Sequence, residues 1–482
     1  MKTRVKVDAS NRTKIVATLG PACNAEGTLR DMFRAGMDVA RINFSHGSAD
    51  SNLELLAKVR KVAKDEGCEI AIMQDLQGAK LRVGQLPENG IQLLEGSMVT
   101  LRAGLDSSDG NEIPVPYEYL AQDIQRGDTI LLNDGVLELE VAAIEKNKVL
   151  AKVIVGGTLI SYKGWTVPGR SLKVEAFSEK DGEDLALGLS NNVDMVAMSF
   201  VRTVDDVLML REKIEKLSAP DASRPQIIVK IEKHEAVANF DDILEATDGV
   251  LVARGDLGLE TSIKSVPVTQ KEIVAKCLVA AKPVIVATHM LSSMTMRPRP
   301  TRAEASDVAN AVIDHTDAVM LSEETAMGKY PVRSVTTMSE IIATTEESPL
   351  DNLKPEKQSQ GVPTSMAVAA GAVELASQLK AEAIIITTRS GYSARAVSRF
   401  RSEIPIISVT HDRVVCRQLH LSWGVHSIFF EERNEPEDLI KKAIKEMWRE
   451  YGLQITGQIV MVSGLKKSKE DGYDPVVRVM SV

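Results

Sequence analysis

Lys230 and Glu232 stand two residues apart in QIIVKIEKHE, residues 226–235, a run that otherwise reads as an apolar strand. Side chains alternate along a strand, so Gln226, Ile228, Lys230 and Glu232 share one face and Ile227, Val229 and Ile231 the other. An ammonium and a carboxylate on such a face need partners or a metal, because unpaired charge in apolar surroundings is costly. Same-side neighbours along a strand are spaced too widely for an ideal ion pair with each other. Further on, RGDLG sets Asp256 between two glycines at the end of another apolar run. Glu232 and Asp256 suit a hard divalent ion, Mg²⁺ or Mn²⁺, with water and substrate oxygens completing an octahedron. Lys230 supplies a point charge for a phosphate or a developing enolate oxygen. Salt-bridged carboxylates and a plain glycine turn are the structural alternatives.

These residues need elements that bring them together. Eight short apolar runs, each followed by a helical stretch, begin near residues 14, 37, 69, 193, 227, 248, 282 and 316. Repeated strand–helix units imply a parallel sheet covered by helices, and eight of them predict a closed (β/α)₈ barrel, the TIM barrel. In such a barrel, chemistry sits at the C-terminal ends of the strands. The second run ends in Arg41, Asn43, Ser45 and His46, and the third in Asp75. The fifth carries Lys230 and Glu232, the sixth Arg254 and Asp256, the seventh Thr288, and the eighth Ser322, Glu323 and Glu324.

Two further units interrupt or follow the barrel. Residues 84–176 alternate or run apolar between Gly-containing turns, which predicts a small inserted all-β domain on the loop after the third strand. A polar linker, 348–363, precedes a renewed strand–helix alternation that predicts a doubly wound α/β domain over 348–482. The barrel then comprises 1–83 and 177–347. Thr301 and Glu304 fit a capping box, a structural feature.

Composition narrows the function. Charged residues make up 26% of the 482, hydrophobic ones 44%, and net charge is −9, which argues against nucleic-acid or membrane-surface binding. There is no signal-peptide core and no run near the ~20 apolar residues that span a bilayer. Cys23, Cys68, Cys277 and Cys416 are scattered, with neither disulfide nor zinc spacing. A soluble, reduced, cytoplasmic protein is the simplest expectation. Neither GxxxxGK[ST] nor a GxGxxG after a strand occurs, so any nucleotide is held by other means. The residues alone thus describe a metal-dependent barrel enzyme acting on a small anionic substrate, phosphorylated or carboxylated.

KIVATLGPA, RINFSHG, KIEKHEAVANFDDILEATDGVLVARGDLG, MRPRPTRAEASDVANAV and LSEETAMGKYP, in that order, resemble the pyruvate kinase family. The resemblance covers nearly the whole chain. It implies transfer of the phosphoryl group of phosphoenolpyruvate to ADP, giving ATP and pyruvate, in a cytoplasmic homotetramer. By the same resemblance, Arg41 holds the substrate phosphate, and Asn43, Phe44, Ser45, His46 and Arg82 lie near the nucleotide phosphates. Lys230 stabilises the phosphoryl in flight and the enolate left behind. Glu232 and Asp256 hold Mg²⁺, and a second Mg²⁺ arrives on the nucleotide. Gly255 and Asp256, with Thr288, seat the carboxylate. Thr288 and Ser322 belong to the network that protonates the enolate, and Lys163 reaches the nucleotide when the inserted domain, a β-barrel lid in the family, closes.

Where many family members read DTKGPEIR and require K⁺, this chain reads DLQGAKLR. Lys80 therefore resembles the family's K⁺-independent branch, its ammonium standing in for the ion. Asn43, Ser45, Asp75 and Leu76 occupy the family's K⁺ positions. A solvated surface lysine is the alternative. Ala79 and Glu323 also depart from the family pattern, without a functional reading. In TTRSGYS, Thr387, Thr388, Arg389, Ser390, Gly391, Tyr392 and Ser393 open a helix, and the resemblance implies a pocket there for a phosphorylated allosteric effector. A well-capped helix start explains the same residues. Two other readings compete for the whole chain: a metal-dependent lyase or aldolase of enolate chemistry, which would need neither Lys163 nor a lid, and a non-catalytic metabolite sensor, which would be expected to lose Lys230 or a metal carboxylate.

Overall fold

The computed structural model describes residues 11–108, 110, 112–220, 222–352, 363–431, 436–451, 454–465 and 475–482. Eight parallel strands close into a barrel: Lys14–Leu19, Val39–Asn43, Ala71–Asp75, Met195–Met198, Gln226–Ile231, Gly249–Ala253, Val284–Ala287 and Ala318–Leu321. They follow one another around the ring in chain order, and the eighth pairs with the first through Lys14 and Ala318.

The period-2 pattern decides what faces where. Val16, Val39, Ala71, Met73, Met195, Ala197, Ile228, Leu251, Ile285 and Ala318 fill the barrel interior. Their odd-even partners, such as Ala40, Ile42, Ile227, Val229 and Ile231, pack under the surrounding helices. Continuing the interior face by two residues towards the C-terminal rim reaches Thr18, Arg41, Asp75, Ser199 and Lys230. The alternation expected along this run is observed over 226–231, with Ile228 inside the barrel and Ile227, Val229 and Ile231 outside it.

The helices are set by their ends. Ser48 accepts the Ser51 N–H at the start of Ala49–Glu66, and Gly67, at φ 69°, stops that helix in the left-handed conformation that glycine tolerates. Thr301 and Glu304 form the expected reciprocal box at the start of Arg302–Ile313. The RGDLG stretch is not a turn: Arg254–Glu260 is a seven-residue helix that begins directly after the sixth strand.

The insertion is mostly sheet, with a six-stranded sheet, a two-stranded one, a short helix Leu120–Asp123 and its own apolar core around Leu101, Ile113, Leu139 and Trp165. The C-terminal domain carries five strands in the order Val425–Phe429, Ile406–Thr410, Ala383–Thr387, Gln458–Ser463, Val476–Ser481. The first four are parallel and the last is antiparallel. That fifth strand is additional to the four read from sequence; it is an exposed edge whose VVRVMS run lacks the flanking helix that marks its neighbours. Of the expected linker, residues 353–362 lie outside the described residues. Leu421 of this domain joins the residues that fill the barrel interior, so the domain is docked on the barrel. No described helix is long and apolar enough to cross a membrane.

Candidate active site

Five consecutive strands contribute to one polar chain at the C-terminal rim. From the first, Thr18 Oγ1 accepts from Arg41 Nη1 at 2.7 Å and donates to the Leu321 carbonyl at 2.8 Å. Arg41, on the second, donates through Nε to Asp75 Oδ2 at 2.7 Å, with Nη2 2.6 Å from the same oxygen. Asp75, on the third, turns Oδ1 towards Lys230 Nζ at 3.5 Å. Ser199, just past the fourth, accepts from Lys230 Nζ at 2.9 Å and donates to the Leu76 carbonyl at 2.8 Å. Lys230, on the fifth, is also 2.9 Å from Glu232 Oε1, while Glu232 Oε2 accepts the Phe200 N–H at 2.8 Å.

The Lys230–Glu232 contact corrects the expectation from strand spacing. The strand ends at Ile231, so Glu232 has left the pleat and its carboxylate folds back onto the ammonium. Both groups are enclosed: the Glu232 and Asp75 side chains are each 1% exposed, Lys230 13%. Burial works to lower the pKa of Lys230, but Asp75 and Glu232 outweigh it and hold the ammonium above its ordinary value. Burial likewise works to raise that of Asp75, but Lys230 and Arg41 prevail and keep it below the usual carboxylate range. For Glu232, burial wins over Lys230, and the like charge of Asp256 adds to it, so its carboxyl lies above its ordinary value.

Asp256 sits in the first turn of Arg254–Glu260. The Gly255 N–H donates to Thr288 Oγ1 at 2.8 Å, tying this helix to the end of the seventh strand. Thr288 has φ 66°, a conformation rare for a β-branched residue, and its neighbour His289 has φ 56°. Arg254 is committed elsewhere, to Asp307 at 2.7 Å and to the Thr288 carbonyl at 2.7 Å, and so fixes the Thr288 backbone rather than facing a ligand. The Ser322 N–H donates to Glu324 Oε2 at 2.7 Å, whose Oε1 accepts the Leu291 N–H at 3.0 Å. Among the described residues no hydrogen bond joins the hydroxyls of Thr288 and Ser322.

Lys80 lies between lid and barrel. Its Nζ is 3.2 Å from Asp134 Oδ1 of the insertion and 3.5 Å from Asp256 Oδ1. Burial opposes its charge, but Asp256 and then Asp134 hold its pKa above the ordinary value. A freely solvated lysine is therefore not what the structure shows. Arg82 Nη1 donates to the Tyr162 carbonyl at 3.0 Å, and the Val83 N–H to the Lys163 carbonyl at 2.9 Å, so the first chain crossing is tied to the segment of the lid that bears Lys163. Asn43 Oδ1 accepts the Ser45 N–H at 3.1 Å. Phe44 is buried in the barrel core, its N–H donates to the Asp75 carbonyl at 2.9 Å and its carbonyl accepts from Lys180 Nζ at 3.1 Å. His46 lies below its ordinary pKa through burial first and then the charges of Arg82, Arg41 and Lys80. A cleft opens between lid and barrel, lined by Lys80, Asp134, Trp165, Lys233, Asp256 and Glu260; it reaches Asp256 but not Arg41 or Lys230.

The residues present fit a hard divalent cation. Among the described residues, no group of three or more His, Cys, Asp and Glu side chains converges as a closed metal cage. Glu232 and Asp256 instead offer carboxylate oxygens only, and Asp256 raises the pKa of Glu232, a repulsion that a cation relieves. Two carboxylates, with water and substrate oxygens completing the shell, match what Mg²⁺ accepts.

Sequence reasoning missed Thr18, Ser199 and Asp134. Thr18 and Ser199 extend the interior faces of the first and fourth strands, and that period-2 continuation was the available signal. Asp134 carries no such signal, because its contact with Lys80 spans 54 residues of chain.

Fold and site define the class: a (β/α)₈-barrel protein whose acidic and basic side chains meet at the C-terminal rim beneath an inserted lid. Residues 10–335 match the family described as pyruvate kinase, barrel domain, and residues 366–480 that described as pyruvate kinase, alpha/beta domain. The chain belongs to the pyruvate kinase family. It is 40% identical to the pyruvate kinase of Geobacillus stearothermophilus over 472 residues, covering 97% of this chain and 80% of that protein. It is 39% identical to that of Clostridium acetobutylicum, covering 98% and 99% respectively. The crystal structure of a pyruvate kinase from Cryptosporidium parvum superposes with a TM-score of 0.90 at 33% identity, covering 98% of this chain and 97% of that one.

Proposed function

We propose that the chain transfers the phosphoryl group of phosphoenolpyruvate to ADP, giving pyruvate and ATP, the final step of glycolysis. The observation that carries this is Lys230, held charged at the barrel rim by Asp75, Ser199 and Glu232. Phosphoryl transfer needs positioning and charge neutralisation more than covalent help. A fixed ammonium where the phosphoryl leaves and the enolate forms supplies both.

Arg41 spends one N–H each from Nε, Nη1 and Nη2 on Asp75 and Thr18. A guanidinium has five N–H donors, so two are left for the substrate phosphate. Asp75 and Thr18 thus orient Arg41 without saturating it. Glu232 and Asp256 would hold Mg²⁺ or Mn²⁺, which when bound neutralises phosphate and enolate oxygens. Gly255, Asp256 and Thr288 would seat the carboxylate, with the Gly255–Thr288 bond giving way to it. Thr288 and Ser322 would belong to the network that carries a proton to the enolate.

Asn43, Ser45, His46, Arg82, Lys163 and the Phe44 backbone would meet the nucleotide, which brings its own Mg²⁺. Closure of the lid would exclude water, the competing phosphoryl acceptor. Lys80 would make K⁺ dispensable, although Asn43, Ser45, Asp75 and Leu76 keep their places; its ammonium is the positive charge, and its two ion pairs fix where it sits. In the C-terminal domain, Ala383–Thr387 is the strand at which the winding direction reverses, the usual place for a ligand in such a sheet. The loop from Thr387 to Ser393 would take a phosphorylated effector there, even though Thr388 Oγ1 already accepts the Gly391 N–H at 3.0 Å. A homotetramer in the cytoplasm completes the reading. Pyruvate release from phosphoenolpyruvate that requires ADP tests it; a lyase or aldolase would not need the nucleotide.

A further inference from the structure

The lid touches the helix Arg254–Glu260 at both of its ends. At the N-terminal end, Asp134 reaches Asp256 through Lys80. At the C-terminal end, Thr166 Oγ1 of the lid donates to Glu260 Oε1, and Lys233 Nζ donates to the same oxygen. Between them, Gly135 of the lid lies so close to Leu259 that a Cβ would stand 2.7 Å from Leu259 Cδ2. Glu260 is 5% exposed, an enclosed carboxylate joining three stretches of chain: the lid, the segment just past Glu232, and the helix that bears Asp256. Buried charge of this kind is costly unless it is paired, so each of the two bonds is hard to give up singly.

We propose that Glu260 is a positioning residue whose bonds to Thr166 and Lys233 couple lid position to the orientation of Asp256. The proposal rests on Glu232 and Asp256 as the cation carboxylates. The helix is only seven residues long, so Glu260 and Asp256 stand about one helical turn apart and move as one piece. When the lid swings, Thr166 pulls on the end of that piece, and Lys233 transmits the shift to the segment that carries Glu232. Coupling of this kind is reciprocal: what steadies the lid strengthens the cation, and the cation steadies the lid by the same factor.

The test uses Mn²⁺ alone, without substrate or nucleotide, on the full chain. Free Mn²⁺ is read by electron paramagnetic resonance, and lid motion by hydrogen exchange of peptides covering residues 158–167. Thr166→Val removes one lid hydroxyl and touches no cation carboxylate. It is expected to weaken Mn²⁺ at least about fivefold, the lower end of measured coupling between sites. It should also abolish the slowing of lid exchange that Mn²⁺ gives in the unaltered protein. Thr166→Ser, which keeps the hydroxyl, restores both. Glu260→Gln, which keeps shape and an acceptor oxygen but loses the charge pair with Lys233, falls between them and serves if Thr166→Val does not fold. Unchanged or tighter Mn²⁺ binding in the folded variants overturns the coupling. Glu232→Gln is the separating control: if it leaves Mn²⁺ affinity intact, the cation reading itself is wrong and the coupling goes with it.

Discussion

Lys230 Nζ lies 2.9 Å from Glu232 Oε1, although the two residues belong to one run of chain whose strand geometry would hold them apart. The contact exists because the strand stops at Ile231 and the next residue turns back. Lys230 is thus the counter-charge for Glu232 and shares Asp75 with Arg41.

Removing that counter-charge gives the first prediction. Lys230→Met leaves the buried Glu232 without its cationic partner, while Asp75 keeps Arg41, and breaking such a pair costs about 3–5 kcal/mol. Thermal unfolding of the variant without metal should occur at clearly lower temperature, and Mn²⁺ should recover part of the loss. Turnover of phosphoenolpyruvate should fall by several orders of magnitude even where the fold is intact. Near-normal turnover would remove Lys230 from the chemistry.

Lys80 sets the second. Its ammonium is fixed by Asp134 and Asp256 rather than free in solvent. Activity in tetramethylammonium buffer should change little when KCl is added. A large K⁺ activation would show that the ammonium does not do the work of the ion.

The C-terminal domain gives the third. Ser390→Asp places a negative charge in the loop between Thr387 and Ser393. Activation by phosphorylated effectors should disappear while basal turnover persists. Unchanged activation would take this loop out of the regulatory reading.

A fourth concerns stability and pH. The Asp351 side chain is 1% exposed, 3.1 Å from Arg12 Nη2, and its pKa is pushed up to about 6 by burial, which Arg12 offsets only in part. Folded protein therefore binds this proton more readily than unfolded chain, whose carboxyl titrates near 3.8. The stability it contributes is full below about 3.8 and is lost as pH rises through about 6. Asp351→Asn removes the titration, so the variant should gain on the parent protein between pH 5 and pH 8, by roughly 1.4 kcal/mol, the part of the linkage that falls in this window. Equal differences in unfolding free energy at the two pH values would contradict the assignment.

The barrel was legible because each strand is a short apolar run whose interior face can be followed residue by residue to the rim. Arg41, Asp75 and Lys230 lie on those faces, so period 2 finds them, and family resemblance supplies their roles. Residues that act across the fold were not legible. Thr166 and Glu260 are 94 residues apart in the chain, and nothing local in either segment announces the other. The helix at Arg254–Glu260 was not legible, because the two glycines around Asp256 suit a plain turn as well as a backbone that approaches an anion. What decides there is tertiary: the Gly255 N–H is held by Thr288, and Glu260 by Thr166 and Lys233.

The most direct measurement is pyruvate formation from phosphoenolpyruvate with Mg²⁺, with and without ADP, in the unaltered chain and in Glu232→Gln. The account predicts pyruvate and ATP in equal amounts, none without ADP, and near-complete loss in the variant. Pyruvate formed without ADP, or full activity in Glu232→Gln, would contradict it.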